Sequence, residues 1–517
     1  MGRCRVALLI APLVLVPGLS VAQTHRTDDS VIHRLWAEGM ERSRVEPLAQ
    51  ALIDSIGPRL SGSPGYLAAT DWLVRTYEGW GVPARREQYG TWRGWRLGPV
   101  HADLVAPRVQ TLVAHLLAWS AGTSGPVEGD VVVPPEGLEP GDVDRWLAGA
   151  RGAWVLVSPP EAMCRAPQEL ERFARPETTA RLADHQRSVE TGWRRRFAPF
   201  GPSLLARFEA AGVAGFLTSN WSGGWGVNKV QSGPAMVGAM LDLSCEDYAL
   251  LARLAERNQG PRLRVDATAE DLGEVAMFNV VAELKGTALP NEYVLLSAHL
   301  DSWHSATGAT DNGTGTITML EAMRILRAVY PNPRRTILVG HWGGEEQGLI
   351  GSAAFAEDHP DVVEGLQALF NQDNGTWRVD TLEAQGFARA GEHLARWMAL
   401  VPAEIADHVS LSAPGAQANT GSDHVSFLCR GAPAFRLQSA YPEYRQYTWH
   451  TNLDTYDKIV FDDLRENATL AAMLAYAASE DPERVPRDRV VLPINPRTGQ
   501  PRDWARCGRV RRTSGRP

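Results

Sequence analysis

The stretch EYVLLSAHLDSWHSATGATDNGTGTITMLEAMRILRAV, residues 292–329, decides the fold. Its first seven residues are a short apolar run of the kind that forms a buried strand, and from Thr314 onward apolar residues recur near helical spacing. The segment between them is rich in Gly, Ser, Thr and Asp, which are turn residues. Strand, turn and helix in that order begin a βα unit. The pattern repeats downstream: RTILVGH, ALFNQ and APAFRLQ are further short apolar runs, with the helical segments GSAAFAE and EHLARWMALV among them. Such alternation predicts an α/β fold with a mainly parallel mixed sheet flanked by helices. In open sheets of this type ligands sit beyond the carboxyl ends of the strands, so the residues that follow each apolar run carry the functional information.

Those residues form a consistent set. His299 and Asp301 follow the first run, and Glu345 and Glu346 follow the second in HWGGEEQG. Asp373 follows the third in NQDNG, His450 lies beyond the fourth in QYTWHTNLDT, and Asp311 stands at the start of the first long helix in ATDNGTG. Imidazole and carboxylate ligands suit zinc, and two-metal hydrolytic sites hold their ions about 3.5–4 Å apart. The expected arrangement is two Zn(2+): Asp311 bridges both, His299 and Asp373 complete one shell, and Glu346 and His450 complete the other. Three carboxylates and one bridging hydroxide, the expected nucleophile, cancel the charge of two such ions, as a partly buried site requires.

Asp301 is two residues from His299, so on an extended strand the two side chains point the same way. That spacing predicts that the Asp301 carboxylate accepts the second ring N–H of His299 and fixes its tautomer. Glu345 is left as general base, taking a proton from water and passing it to a leaving amine. Asp311 also has a purely structural reading as a helix N-cap accepting the amides of Gly313 or Thr314. His304, His341 and His424 read as structural or pocket-lining residues. Asp423 and His424 in GSDHVSF, and Tyr447 in the loop from Ser439 to Trp449, are candidates for touching substrate.

At this point the chain resembles the co-catalytic di-zinc exopeptidases that include bacterial leucyl aminopeptidases and plasma glutamate carboxypeptidase, and it is most similar to the carboxypeptidase Q type. The resemblance rests on HLDSW followed by TDNGTG, on GGEEQG, NQDN, GSDHVSF with GAPAFRL, and WHTNLDTYDKI, spread over residues 291 to about 480, with GPRLSGSPG upstream. It implies the same ligands (His299, Asp311, Glu346, Asp373, His450), the same base (Glu345) and the same orienting residue (Asp301). It also implies a cis peptide at Asp311-Asn312, a protease-associated domain signalled by FEAAGVAGFLTSN at 208–220, and a possible homodimer. The expected activity is hydrolysis of terminal bonds in short peptides or dipeptides. Alternatives are an aminopeptidase of the same family, a non-catalytic binding protein on this scaffold, and a glutaminyl cyclase, which typically lacks the inserted domain.

The rest of the chain sets the context. Arg3 and Arg5, the apolar VALLIAPLVLV and the small residues Ser20-Val21-Ala22 read as an export signal over residues 1–22. The expected destination is secreted or periplasmic, with no membrane attachment after cleavage. Residues 23–118 read as the first part of the catalytic domain, 119–270 as a Gly- and Pro-punctuated β-rich insertion, 271–485 as the main catalytic segment, and 486–517 as an Arg- and Pro-rich tail, loosely packed by composition. A net charge of −8 argues against nucleic acid as a partner. Beyond Cys4 there are four cysteines. A Cys164–Cys245 bridge is one reading, and four free buried thiols is another.

Overall fold

The computed structural model describes residues 27–233, 238–417 and 421–515. The export signal lies outside them. At the centre is the strand Leu289–His299, with its last six residues buried. Arg335–Trp342 pairs with it in parallel on one side and Leu366–Gln372 on the other, and Ala434–Ser439 extends the parallel set beyond Leu366–Gln372. Chain order therefore runs outward from Leu289–His299 in both directions, which makes the carboxyl end of that strand the topological switch point where a crevice opens. Antiparallel partners complete the sheet: Val379–Glu383 against Ala434–Ser439, and Arg262–Leu284 against Arg335–Trp342. The four apolar runs read as strands are thus strands, in a mixed, mostly parallel sheet flanked by helices.

Helices Thr314–Val329 and Phe461–Glu480 pack on each other and against the central strand. Both are buried over most of their circumference, so their apolar residues do not form the one-sided stripe of a surface helix. Phe461–Glu480 begins with Asp462 and Asp463, whose charges favour the positive end of the helix dipole. Upstream, Pro64–Gly79 starts at Ser63, which caps Tyr66 N–H, with Pro64 at the first turn.

A second layer grows from a long ribbon. Ala84–Ala106 and Arg262–Leu284 pair antiparallel over nearly their whole lengths, and Val127–Val132 pairs with the far end of Arg262–Leu284. From there Trp154–Leu156, Gly215–Thr218 and Ala239–Leu243 follow in parallel, ending on the antiparallel Ala114–Leu116. Position 270, expected at a boundary, falls inside a continuous strand. Within this layer FEAAGVAGFLTSN folds as the helix Leu204–Ala211, stopped by Gly212 in the left-handed region at φ 78°, and the strand Gly215–Thr218. The layer has its own apolar core around Trp154, Leu217, Leu241 and Leu251, and Trp303 of the catalytic segment is packed into it.

Two disulfides close the cysteine account, Cys164–Cys245 and Cys429–Cys507, so the free-thiol reading is wrong. Two such bridges fit a chain that folds in an oxidising compartment. The second bridge tethers the tail, which is largely exposed and has little regular secondary structure, to the catalytic segment. Arg512 pairs with Glu357 and Asp358, its carbonyl accepts Thr91 N–H at 2.8 Å, and Trp504 packs on Phe387. Several of the tail's arginines reach carbonyls or acids that a compositional reading does not see, among them Arg487 on the Val363 and Glu364 carbonyls. Among the described residues no helix is long and apolar enough to cross a membrane.

Candidate metal centre

The expected ligands converge at the switch point. Nε2 of His299, at the end of the central strand, lies 3.3 Å from Asp373 Oδ1 and 3.5 Å from Asp311 Oδ1. Nε2 of His450 lies 2.9 Å from Glu346 Oε2 and 3.2 Å from Asp311 Oδ2. Asp311 thus gives one oxygen to each trio, His299–Asp311–Asp373 and Asp311–Glu346–His450, whose ligand atoms lie within 4.8 Å of one another. Its carboxylate is not spent on capping: the helix that follows begins at Gly313 with no side-chain cap, and Asn312 Oδ1 accepts Gly315 N–H at 3.1 Å instead.

Charge and burial explain what this cluster lacks. Burial pushes the Glu345 carboxyl well up, opposed by His299 and reinforced by Asp373, and burial together with Asp311 lifts Glu346 to about 7. Burial likewise lifts Asp423 and Asp454 to about 7. Burial would lower both imidazoles, yet the carboxylates outweigh it: Asp373 and Glu345 hold His299 well above its ordinary value, and Glu346 and Asp311 raise His450 to about 10. So many buried acids around two imidazoles make a field that calls for positive charge. Glu346 Oε1 and Asp311 Oδ2 are buried without a hydrogen-bond donor, the latter near His450 Nε2 but out of bonding geometry. Unpaired buried oxygens in a mixed imidazole and carboxylate donor set fit divalent metal ions, zinc among them.

The shell around the ligands is where the structure departs from expectation. His299 Nδ1 lies 3.0 Å from the main-chain carbonyl of Asp301 and 3.7 Å from the carboxylate Oδ1. The carbonyl therefore takes the ring proton, correcting the expectation that the side chain does. The strand ends at His299, and the chain turns so that the carboxylate faces the next strand end instead, where it accepts Glu345 N–H at 3.1 Å and Glu346 N–H at 3.2 Å. Asp301 thereby fixes the backbone of both glutamates. Trp303 Nε1 donates to Glu346 Oε2 at 2.8 Å. Asp454 accepts Thr310 N–H and Oγ1–H at 2.8 Å and Asp311 N–H at 3.0 Å, holding the turn that presents Asp311.

Arg59 is fully buried beneath this turn. Its guanidinium donates to the carbonyls of Leu300, Thr307 and Gly308 at 2.8 Å and of Gly57 at 3.0 Å. It ties both ends of the ligand-bearing loop together and sets a cation beneath Asp301, Asp311 and Asp454. Close approach explains the glycines here: a Cβ on Gly313 would meet Ile53 Cδ1 at 2.4 Å, and one on Gly315 would meet Asn312 Oδ1 at 2.3 Å. The Asp311-Asn312 peptide is cis.

The second layer reaches the site. Gln231 Nε2 lies 2.7 Å from His450 Nδ1, and Val230 N–H donates to the His450 carbonyl at 3.0 Å. These contacts hold His450 in the left-handed region at φ 60°. Burial and Arg445 pull the Lys229 ammonium down to about 8, with Asp311 pulling the other way. His304 serves structure, bonding the Leu116 carbonyl at 2.7 Å, and so does His341, 2.7 Å from the Tyr77 hydroxyl. Of the residues expected to touch substrate, Asp423 and His424 are fully buried, with no hydrogen-bond partner among the described residues on their side-chain polar atoms, and Tyr447 is exposed.

Residues 279–475 match the profile of peptidase family M28. The chain carries a peptidase family M28 domain. All five ligand candidates and Glu345 lie within the matched residues. The M28 domain and its flanking segments together are 25% identical over 461 residues to carboxypeptidase Q of Mus musculus, covering 88% of this chain and 90% of that protein. Among solved structures, a peptidase M28 precursor from Shewanella amazonensis superposes with a TM-score of 0.62 at 22% identity, covering 88% of this chain and 97% of that one. A zinc aminopeptidase from Bacillus subtilis gives 0.53 at 19% identity over 85% and 96%. At these identities the two structures show a shared fold.

Proposed function

We propose that the protein is a secreted or periplasmic zinc exopeptidase that hydrolyses terminal bonds of short peptides, with two zinc ions held by His299, Asp311, Asp373, Glu346 and His450. The observation that carries this reading is the division of the Asp311 carboxylate between two trios of buried ligand atoms. Bound zinc would polarise a peptide carbonyl and make water nucleophilic at neutral pH. The chain's own residues supply the rest. Glu345 takes a proton as water adds to the carbonyl carbon, then delivers it to the amine as the C–N bond breaks. No donor among the described residues holds its carboxylate, so it is free to accept that proton, while Asp301 fixes its amide. Trp303 holds Glu346, Asp454 holds the Asp311 turn, and the inserted layer, read as a protease-associated domain, roofs the His450 loop. The likeness to carboxypeptidase Q supports this substrate class.

The direct test is metal content together with hydrolysis. Purified protein incubated with zinc is expected to bind two equivalents and to release amino acids from dipeptides. Two bound equivalents with no turnover of any dipeptide or tripeptide in a broad panel would sink the reading.

Gln231 offers a second test from outside the M28 residues. As placed, its amide donates to His450 Nδ1. When Nε2 of that imidazole gives its lone pair to a metal, the ring proton sits on Nδ1, and the Gln231 amide oxygen receives it after a half-turn. Gln231→Leu is expected to weaken retention of one of the two zinc equivalents roughly 10- to 100-fold against a competing chelator. Equal retention would show that the backbone contacts alone place His450.

A further inference from the structure

The reading above leaves open which end of a peptide is recognised, and two cations beside His450 bear on this. The Trp449 ring is stacked on the His450 imidazole with centroids 4.1 Å apart. Against the same indole lie Lys229 from the inserted layer, with Nζ 3.8 Å from the centroid, and Arg445, with its guanidinium carbon 5.1 Å away. Among the described residues neither has a carboxylate within ion-pair distance, and Lys229 Nζ donates to the Trp449 carbonyl at 3.4 Å. Two like charges gathered on one ring repel each other, and Lys229 is partly buried as well, so the arrangement lacks an anion.

The surroundings restrict what that anion is. Lys229 lies in a segment that pairs with the ligand loop: Asn228 N–H bonds Asn452 Oδ1 at 2.9 Å, and Val230 N–H bonds the His450 carbonyl at 3.0 Å. Gln446 Nε2 donates to the Gly223 carbonyl at 2.9 Å, closing the outer edge. The cations are therefore held within about one amino-acid residue of a metal ligand. On an unblocked dipeptide whose scissile carbonyl lies at the Asp311 cluster, the one main-chain anion is the carboxylate of the residue released, a single residue away from that carbonyl.

We propose that Lys229 and Arg445 form the subsite for the free carboxylate of the residue released, making the protein a dipeptidase or carboxypeptidase that distinguishes a free C-terminus from a blocked one. This rests on the hydrolytic reading of the Asp311 cluster. The exposed Tyr447 ring stands on the same loop and offers a wall for the side chain of that residue.

The test compares alanyl-alanine with alanyl-alaninamide, which differ only at the terminal carboxylate. Binding is measured by calorimetry on zinc-loaded Glu345→Gln protein, and KM and kcat are measured on the wild type. The free acid is expected to bind roughly tenfold or more tightly than the amide and to have a correspondingly lower KM. In Lys229→Met/Arg445→Gln the acid-to-amide ratio is expected to fall toward one, whereas Arg445→Lys keeps a preference for the acid. Each single neutral variant is measured as well, with thermal unfolding and zinc content as controls for folding. Equal binding of acid and amide by protein with both cations intact overturns the proposal, as does a ratio that survives the double substitution. Failure of hydrolysis with the binding preference intact sinks the hydrolytic assignment and leaves the carboxylate subsite standing.

Discussion

Glu345→Gln is expected to lower kcat by roughly two to four orders of magnitude, the range for losing a general base, while zinc content stays at the wild-type level. The substitution keeps the shape of the side chain and removes its ability to accept a proton. The main chain is not at risk, because the Asp301 carboxylate holds the amides of residues 345 and 346 at 3.1 and 3.2 Å regardless of the side chain. Glu346 therefore stays on its ligand atoms, and Trp303 still donates to it. Burial holds the Glu345 carboxyl well above the usual carboxylate range, which suits a group that must take and return a proton. Steady-state kinetics on dipeptides and metal analysis of the same preparation make the check. Activity within threefold of wild type would mean that another group moves the proton, and a parallel loss of zinc would mean that residue 345 is structural.

The parts legible in the sequence are those whose position follows from the strand pattern. Once EYVLLSA, RTILVGH and ALFNQ are strands of one parallel sheet, the residues just beyond them must share one edge, and His299, Glu346 and Asp373 follow. Asp301 was legible as a partner and not in its geometry: spacing places its Cβ, but the chain turns after His299, so its carbonyl reaches the imidazole and its carboxylate reaches the glutamate amides. Arg59 and Asp454 hold ligands through main-chain atoms, a role that leaves no signature in residue type, although both stand inside quoted motifs, GPRLSGSPG and WHTNLDTYDKI. Gln231 lies more than 200 residues before its partner, in a layer whose docking no periodicity reveals. The tail escaped for a related reason: Cys429–Cys507 and the Arg512 pairs join segments far apart in sequence.

Asp311→Asn tests the shared carboxylate and carries the largest expected effect. The backbone of the turn does not depend on this side chain: Asp454 accepts the residue 311 amide at 3.0 Å, and Asn312 bonds the Gln372 carbonyl at 2.9 Å. An amide is isosteric with the carboxylate but neutral, so it offers one weak oxygen ligand where two charged ones stood, and both trios lose their common member. His299 with Asp373, and Glu346 with His450, are each left with two ligand atoms, short of the three protein ligands usual for a catalytic zinc. Bound zinc is expected to fall below one equivalent, and kcat/KM by at least three orders of magnitude, equivalent to about 4 kcal/mol of transition-state stabilisation. A readout independent of turnover is the melting temperature. Zinc bound at about 100 times its dissociation constant stabilises the wild type by about 2.7 kcal/mol per site, and that zinc-dependent rise should be largely lost in Asp311→Asn. If the variant instead binds two equivalents and shows the full rise, Asp311 does not bridge, and the two trios are separate or are not the metal centre.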